Sequence, residues 1–221
     1  IIVDGSPNNR EVAGNLTLFS DQKLLSTSIL AAGGVELSTN LGVITLPSIP
    51  GFGDTVPVSP IFSNPSGGTL VTLGGNNIEV AGITFDGSTS NAAIPNATGI
   101  AGSNFTDFFI HHNTFRDYTN GVVMSNARGL GLFQANTLAG TPGISIDGFR
   151  LTNSGVGSLD LFINGFEPPA MGPGSGLLAS ANLITGNDNA GINITARNRA
   201  VINAHIVDNT ISNNGQGIIL D

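Results

Sequence analysis

One short pattern recurs along the last two-thirds of the chain and restricts what it can fold into. An Asn opens each copy, an apolar pair follows, and a Gly then leads an alternating apolar run. The copies are Asn113-Thr114-Phe115 with Gly121-Val122-Val123-Met124, and Asn136-Thr137-Leu138 with Gly143-Ile144-Ser145-Ile146. Two more are Asn182-Leu183-Ile184 with Gly191-Ile192-Asn193-Ile194, and Asn209-Thr210-Ile211 with Gly217-Ile218-Ile219-Leu220. The Asn spacings are 23, 46 and 27 residues. Periods of this length belong to solenoids, in which each coil buries its apolar face only by stacking on its neighbours.

The spacing predicts coils of three short strands, stacked about 4.8 Å apart. The 46-residue interval reads as two rungs of 23, the intervening one running through Leu159-Asp160-Leu161-Phe162-Ile163. A looser early copy includes Gly82-Ile83-Thr84-Phe85. Strand alternation would turn Ile144 and Ile146 inward and Ser145 outward. Asn113, Asn136, Asn182 and Asn209 would then form one column at a turn, a structural ladder whose amides hydrogen-bond from rung to rung.

Residues 1–70 are less regular, with strand-like pieces at Ile1–Val3, Leu16–Phe19 and Val43–Leu46. Five prolines between Pro47 and Pro65 argue against a central strand there and for a surface excursion. We therefore expect one continuous domain. Residues 1–70 would form irregular N-terminal rungs, and residues 71–221 the regular repeat.

The run from Asn209 to Ile218, Asn-Thr-Ile-x-x-Asn-x-x-Gly-Ile, resembles the repeat of the pectate-lyase-like superfamily. The resemblance implies an all-β fold, a right-handed single-stranded parallel β-helix. It covers residues 71–221 well and residues 1–70 poorly, and it speaks to fold rather than activity. The sequence is also similar in character to large bacterial surface proteins that carry such repeats. A leucine-rich-repeat solenoid would need a regular Leu-x-x-Leu-x-Leu pattern, which is missing, and a β-sandwich would not explain the Gly–Ile register.

Charge narrows the partners. Only 10% of residues are charged, the net charge is −8, and Lys23 is the one lysine. Clustered cations, which a nucleic-acid backbone requires, are missing from the sequence. Low charge here does not mean disorder, because the mean hydropathy is +0.22. No apolar run reaches transmembrane length, so no membrane insertion is expected. The start at Ile1, without Met or signal peptide, reads as a mature or excised segment, and we expect a secreted or cell-surface location.

The resemblance also implies chemistry to look for. Lyases of the superfamily use an Arg or Lys base with calcium held by carboxylates, and calcium takes six to eight oxygens. Asp147 and Asp221 read as one column roughly 14 Å apart by strand spacing, with Ser125 and Thr195 in the same column. That is not a calcium cage, so calcium lacks a ligand cluster and no metal or cofactor is assigned. The polygalacturonase strings Asn-Thr-Asp, Asp-Asp and Gly-His-Gly do not occur.

The densest polar group is Asp107, His111, His112, Arg116 and Asp117, from which His111, Arg116 and Asp117 are the acid–base candidates. Strand alternation would send His111 and His112 to opposite faces, leaving one beside Arg116. His205 reads as structural. Arg197 and Arg199 read as a grip for an acidic sugar, and Glu167, in the insertion Phe166 to Gly176, as part of a binding rim. Sequons at Asn15, Asn96, Asn104 and Asn193 permit glycosylation.

Two readings follow. The favoured one is a structural or adhesive surface module that self-associates through its solenoid ends or binds carbohydrate. The other is a polysaccharide-active lyase or glycosidase, or a fragment of one.

Overall fold

The structure, a computed structural model, describes residues 1–3, 11–13, 15–26, 35–39, 42–46, 59–63, 66–89, 92–93, 97–164 and 181–221. Among them there is no helix, and strands dominate. The strands stack in three parallel faces that the chain visits in rotation, which makes a parallel β solenoid.

The first face stacks Leu16–Leu18, Gly68–Leu73, Ala97–Ser103, Asn120–Ser125, the leading parts of Asp147–Asn164 and Ala190–Val207, and Gln216–Leu220. The second stacks Ile2–Val3, Lys23–Ser26, Ile78–Ala81, Thr106–His111, Arg128–Gln134 and the trailing parts of the same two long strands. The third stacks Glu11–Ala13, Ile61–Ser63, Thr84–Asp86, Thr114–Arg116, Thr137–Ala139, Leu183–Thr185 and Thr210–Ser212. Two antiparallel ribbons leave this path, Val35–Thr39 with Gly42–Leu46 and Ser88–Thr89 with Ala92–Ala93.

Inward side chains form columns through the layers. On the third face Phe62, Phe85, Phe115, Leu138, Ile184 and Ile211 lie in register. The Phe85 and Phe115 rings stack with centroids 4.8 Å apart. Each fully buried side chain of this size contributes about 1.5–3 kcal/mol.

The repeated Gly has a steric cause. A Cβ on Gly121 would lie 2.6 Å from the Gly148 carbonyl oxygen, and one on Gly148 would lie 2.7 Å from that of Gly191. The next layer's backbone occupies the place of a side chain at the entry to the first face.

Several expectations change. The 46-residue interval is one enlarged rung, not two, because Thr137 pairs directly with Leu183. Leu159 to Ile163 belong to the second face of that same rung, beside Gly129 to Phe133. Gly143 to Ile146 do not form the repeat strand. Pro142 and Gly143, the latter at φ +81°, sit in a turn closed by Ile144 and Ser145 donating to the Thr141 carbonyl. Ser145 is therefore buried and Ile146 exposed, the reverse of the expected alternation.

Gly148-Phe149-Arg150-Leu151 takes that register instead, with Phe149 opposite Val122. The shift also separates Asp147 from Asp221. Asp147 pairs with Asn120 and Ala190, whereas Asp221 follows Leu220, which pairs with Ile194. Gly82 to Phe85 align with His112 to Phe115 rather than with the Gly-led strand.

The proline-rich stretch holds a central strand after all. Ile61–Ser63 lies between Glu11–Ala13 and Thr84–Asp86. Pro60 precedes it and only accepts, from Thr84 N–H at 2.9 Å, so its missing donor costs nothing. Residues 47–58 lie outside the described residues. Val43 to Leu46 belong to an antiparallel ribbon, not to a rung.

Candidate functional site

Many polar side chains of the solenoid serve the fold. Asn113, Asn136 and Asn182 sit at the turn from the second face to the third, fully or almost fully buried. Each side-chain oxygen accepts a backbone N–H one layer away: Ile83 to Asn113 at 3.0 Å, Asn113 to Asn136 at 3.0 Å, Asn136 to Asn182 at 2.8 Å. Each amide nitrogen donates to a strand carbonyl, of Val80, Ile110 or Phe133. Asn182 also donates to Asn209 at 2.8 Å. Ile83 holds the ladder position one layer before Asn113.

A second ladder escaped the sequence reading. Asn187 N–H and Nδ2 both donate to Asn214 Oδ1, and the buried Tyr118 hydroxyl donates to Asn187 Oδ1 at 3.0 Å. Both asparagines stand five residues after a ladder Asn, and that spacing was the available signal.

The three acid–base candidates do not converge. Arg116 leaves the third face and pairs with Asp86, its register neighbour, with Nε 2.8 Å from Oδ2. Asp117, at φ +53°, accepts from the Thr141 hydroxyl at 2.7 Å. His111 ends a second-face strand and is 4% exposed.

His111 has partners that the sequence did not indicate. Its Nε2 lies 3.1 Å from Glu79 Oε1, and Glu79 Oε2 meets Lys23 Nζ at 2.5 Å. Its Nδ1 lies 2.9 Å from His112 Nδ1. The two rings meet because His112 is left-handed, at φ +54°, which breaks the expected alternation. Phe109 stacks on His111 with centroids 3.9 Å apart.

Burial works to raise the Glu79 carboxyl. The His111 hydrogen bond and the charges of His111 and Lys23 outweigh it and hold the group below its ordinary value. Burial, and then the neighbouring His111, push His112 down to about 4. His205 stacks on its register neighbour Phe162, with centroids 4.6 Å apart.

The cations divide sharply. Lys23, Arg116 and Arg150 each lie near a carboxylate, of Glu79, Asp86 and Asp147. Arg128, Arg197 and Arg199 are exposed and have no carboxylate at ion-pair distance among the described residues. All three lie at the turn between the first and second faces. Arg197 pairs with Ser154 and Arg199 with Val156. A Cβ on Gly157, the next residue, would lie 2.8 Å from Arg128 Nε, so the Arg128 side chain lies over the Gly157 backbone of the adjoining layer.

Glu167 and Asn96 lie outside the described residues. Asn15 and Asn104 are exposed and Asn193 is half-buried. Asn104 holds a left-handed turn and accepts from Asn126 Nδ2 at 3.1 Å. Among the described residues no three His, Asp or Glu side chains gather as a metal centre. No helix of the described residues is long and apolar enough to cross a membrane.

These features define a parallel β solenoid with internal polar ladders and a cationic corner. Compared with known proteins, the chain matches no family model, no curated protein and no solved structure.

Proposed function

We propose that the chain is a non-catalytic module of a secreted or cell-surface protein that binds an acidic polysaccharide. One observation carries the reading. The described arginines without a carboxylate partner are concentrated at one corner, within three successive layers, although the whole chain carries a net charge of −8. Guanidinium groups bind carboxylates and sulfates through paired donors, and layers spaced about 4.8 Å apart offer a repeating register to a repeating sugar. Val156 and Val201, exposed in the same corner, supply apolar surface for a sugar face.

The fold in this reading is a right-handed parallel β-helix of the pectate-lyase-like type. Support comes from parallel crossovers, which are right-handed in about 98% of cases, and from the Asn209 to Ile218 repeat. A bacterial surface origin fits the same resemblance. The separation of His111, Arg116 and Asp117 argues for the binding role over a hydrolase or lyase.

The reading is tested on immobilised polysaccharides. Retention on polygalacturonate or a sulfated glycan, released by salt and missing on neutral dextran, supports it. Equal retention on acidic and neutral matrices, or none, removes it.

Self-association is a second reading, favoured by one observation. Ile218 and Leu220 are 44% and 65% exposed, whereas Ile192 and Ile194, one layer earlier, are buried. A further layer stacked on that edge, from a second copy or from the same polypeptide, would cover them. Sedimentation across a dilution series distinguishes rods that lengthen with concentration from particles of constant size.

A further inference from the structure

We propose that His111 and His112 form a two-nitrogen site for a divalent transition metal, Cu(II) above the others, on the outer side of the second face. The inference is independent of glycan binding, which concerns a different corner.

The geometry comes first. The two Nδ1 atoms are 2.9 Å apart and the rings stand at 86°. A metal roughly 2.0–2.1 Å from each nitrogen would see them at an angle of about 90°. That is a cis pair of a tetragonal site rather than the edge of a tetrahedron, and tetragonal nitrogen sites favour Cu(II) or Ni(II). Affinity for such ligands peaks at Cu(II) along the divalent series.

The surroundings suit the role. A metal-bound imidazole commonly donates its other N–H to a carboxylate, which fixes the tautomer. His111 has that arrangement, with Nε2 facing Glu79 Oε1 at 3.1 Å. The Glu79 carboxylate only accepts, so Nε2 carries the hydrogen in neutral His111 and Nδ1 presents its lone pair. His112 Nδ1 then donates to it. On metal binding that proton moves to Nε2 of His112 with no net proton loss, and the rings tilt from their mutual hydrogen bond so that both Nδ1 lone pairs converge on the ion. Lys23 balances the Glu79 charge.

The contact is specific to this layer. The residue before the ladder position is left-handed in other layers too, as Gly82 at φ +74°, Ala135 at +51° and Asp208 at +55°. Among the described residues at this turn only His112 brings a nitrogen ligand, and it does so beside a strand-end histidine; Asp208 brings a carboxylate. The remaining coordination positions would belong to water, because no third protein ligand of the usual kinds gathers there among the described residues.

The test is Cu(II) titration of the whole chain followed by electron paramagnetic resonance. One equivalent should bind with splitting from two imidazole nitrogens. His112→Asn, chosen because Asn accepts a left-handed turn, should weaken binding about tenfold or more and remove one nitrogen. His205→Asn should change neither. An unchanged spectrum and affinity in His112→Asn overturn the site. Independently of any variant, substoichiometric Cu(II) should broaden the His111 and His112 ring signals in NMR before that of His205. The reverse order overturns it as well.

Discussion

The backbone N–H of Asn136 donates to the side-chain oxygen of Asn182 at 2.8 Å, although 46 residues separate them. The chain between them makes one circuit of the solenoid and returns in register. The ladder tolerates unequal rungs because its hydrogen bonds run between layers, and a loop that leaves and returns at a turn leaves them intact. Long surface insertions cost little in such a case, since loop entropy grows only with the logarithm of length.

Asn136 is therefore a sensitive point. Truncation to Ala takes the acceptor from the buried Asn113 N–H and from one Asn113 amide hydrogen, and removes one donor from the Ile110 carbonyl. Each orphaned group costs about 1–3 kcal/mol, so Asn136→Ala should lower stability by about 3 kcal/mol in urea unfolding. Asn209 is half-buried, and Asn209→Ala should cost only about 1 kcal/mol. Equal losses at the two sites would deny that burial sets the value of the ladder.

Gly129 and Gly143 separate backbone strain from collision. Both have positive φ, +73° and +81°. A Cβ at Gly143 meets nothing within 4 Å, whereas at Gly129 it would lie 2.2 Å from Asp107 Oδ1. That oxygen accepts the Leu130 N–H at 2.8 Å and cannot move without breaking the bond. Gly143→Ala should cost about 1 kcal/mol, the left-handed penalty alone. Gly129→Ala should cost about 2 kcal/mol or more, adding the lost hydrogen bond. Thermal melts of the two variants make the comparison.

Tyr118 gives a pH dependence of known sign. Burial pushes its phenol well above the ordinary value, against a smaller lowering by the Asn187 hydrogen bond. Above pH of about 10 the unfolded chain loses this proton and the folded chain keeps it. The folded state then binds more protons, so stability falls as pH rises. Tyr118→Phe should flatten that fall. Tyr118 is also the one tyrosine, so phenolate absorbance should appear only as the protein unfolds. Phenolate formed in the folded protein near pH 10 would contradict the burial.

What was legible in the sequence follows from which interactions are local. The Asn column and the apolar alternation recur at fixed offsets, so the strands at Thr114–Arg116, Asn120–Ser125 and Thr210–Ser212 were visible. Register failed where a turn imitated a strand. Gly143-Ile144-Ser145-Ile146 has the repeat's composition, but Pro142 and the left-handed Gly143 commit it to a turn. The strand that takes this register, Asp147–Asn164, opens with the buried Asp147 and carries Arg150, and so departs from the apolar run of the other copies.

The Glu79–His111 contact spans 32 residues, and neither residue carries a local mark of it. The two histidines were assigned opposite faces by a rule that holds only while φ stays extended, and His112 departs from it. The corner of Arg128, Arg197 and Arg199 was half visible, because the two later arginines are two residues apart in sequence while Arg128 joins them through stacking.

The account rests most directly on that corner, and the measurement is polygalacturonate affinity for the chain and for an Arg197→Ala, Arg199→Ala double variant at several salt concentrations. Charged hydrogen bonds are worth about 1.5–3 kcal/mol each, so the double variant should bind about a hundredfold or more weakly and respond less to salt. Arg150→Ala, which removes a cation from the first face, should bind nearly as the parent does. Binding that survives the double variant, or that Arg150→Ala reduces to the same extent, would contradict a glycan site at this corner.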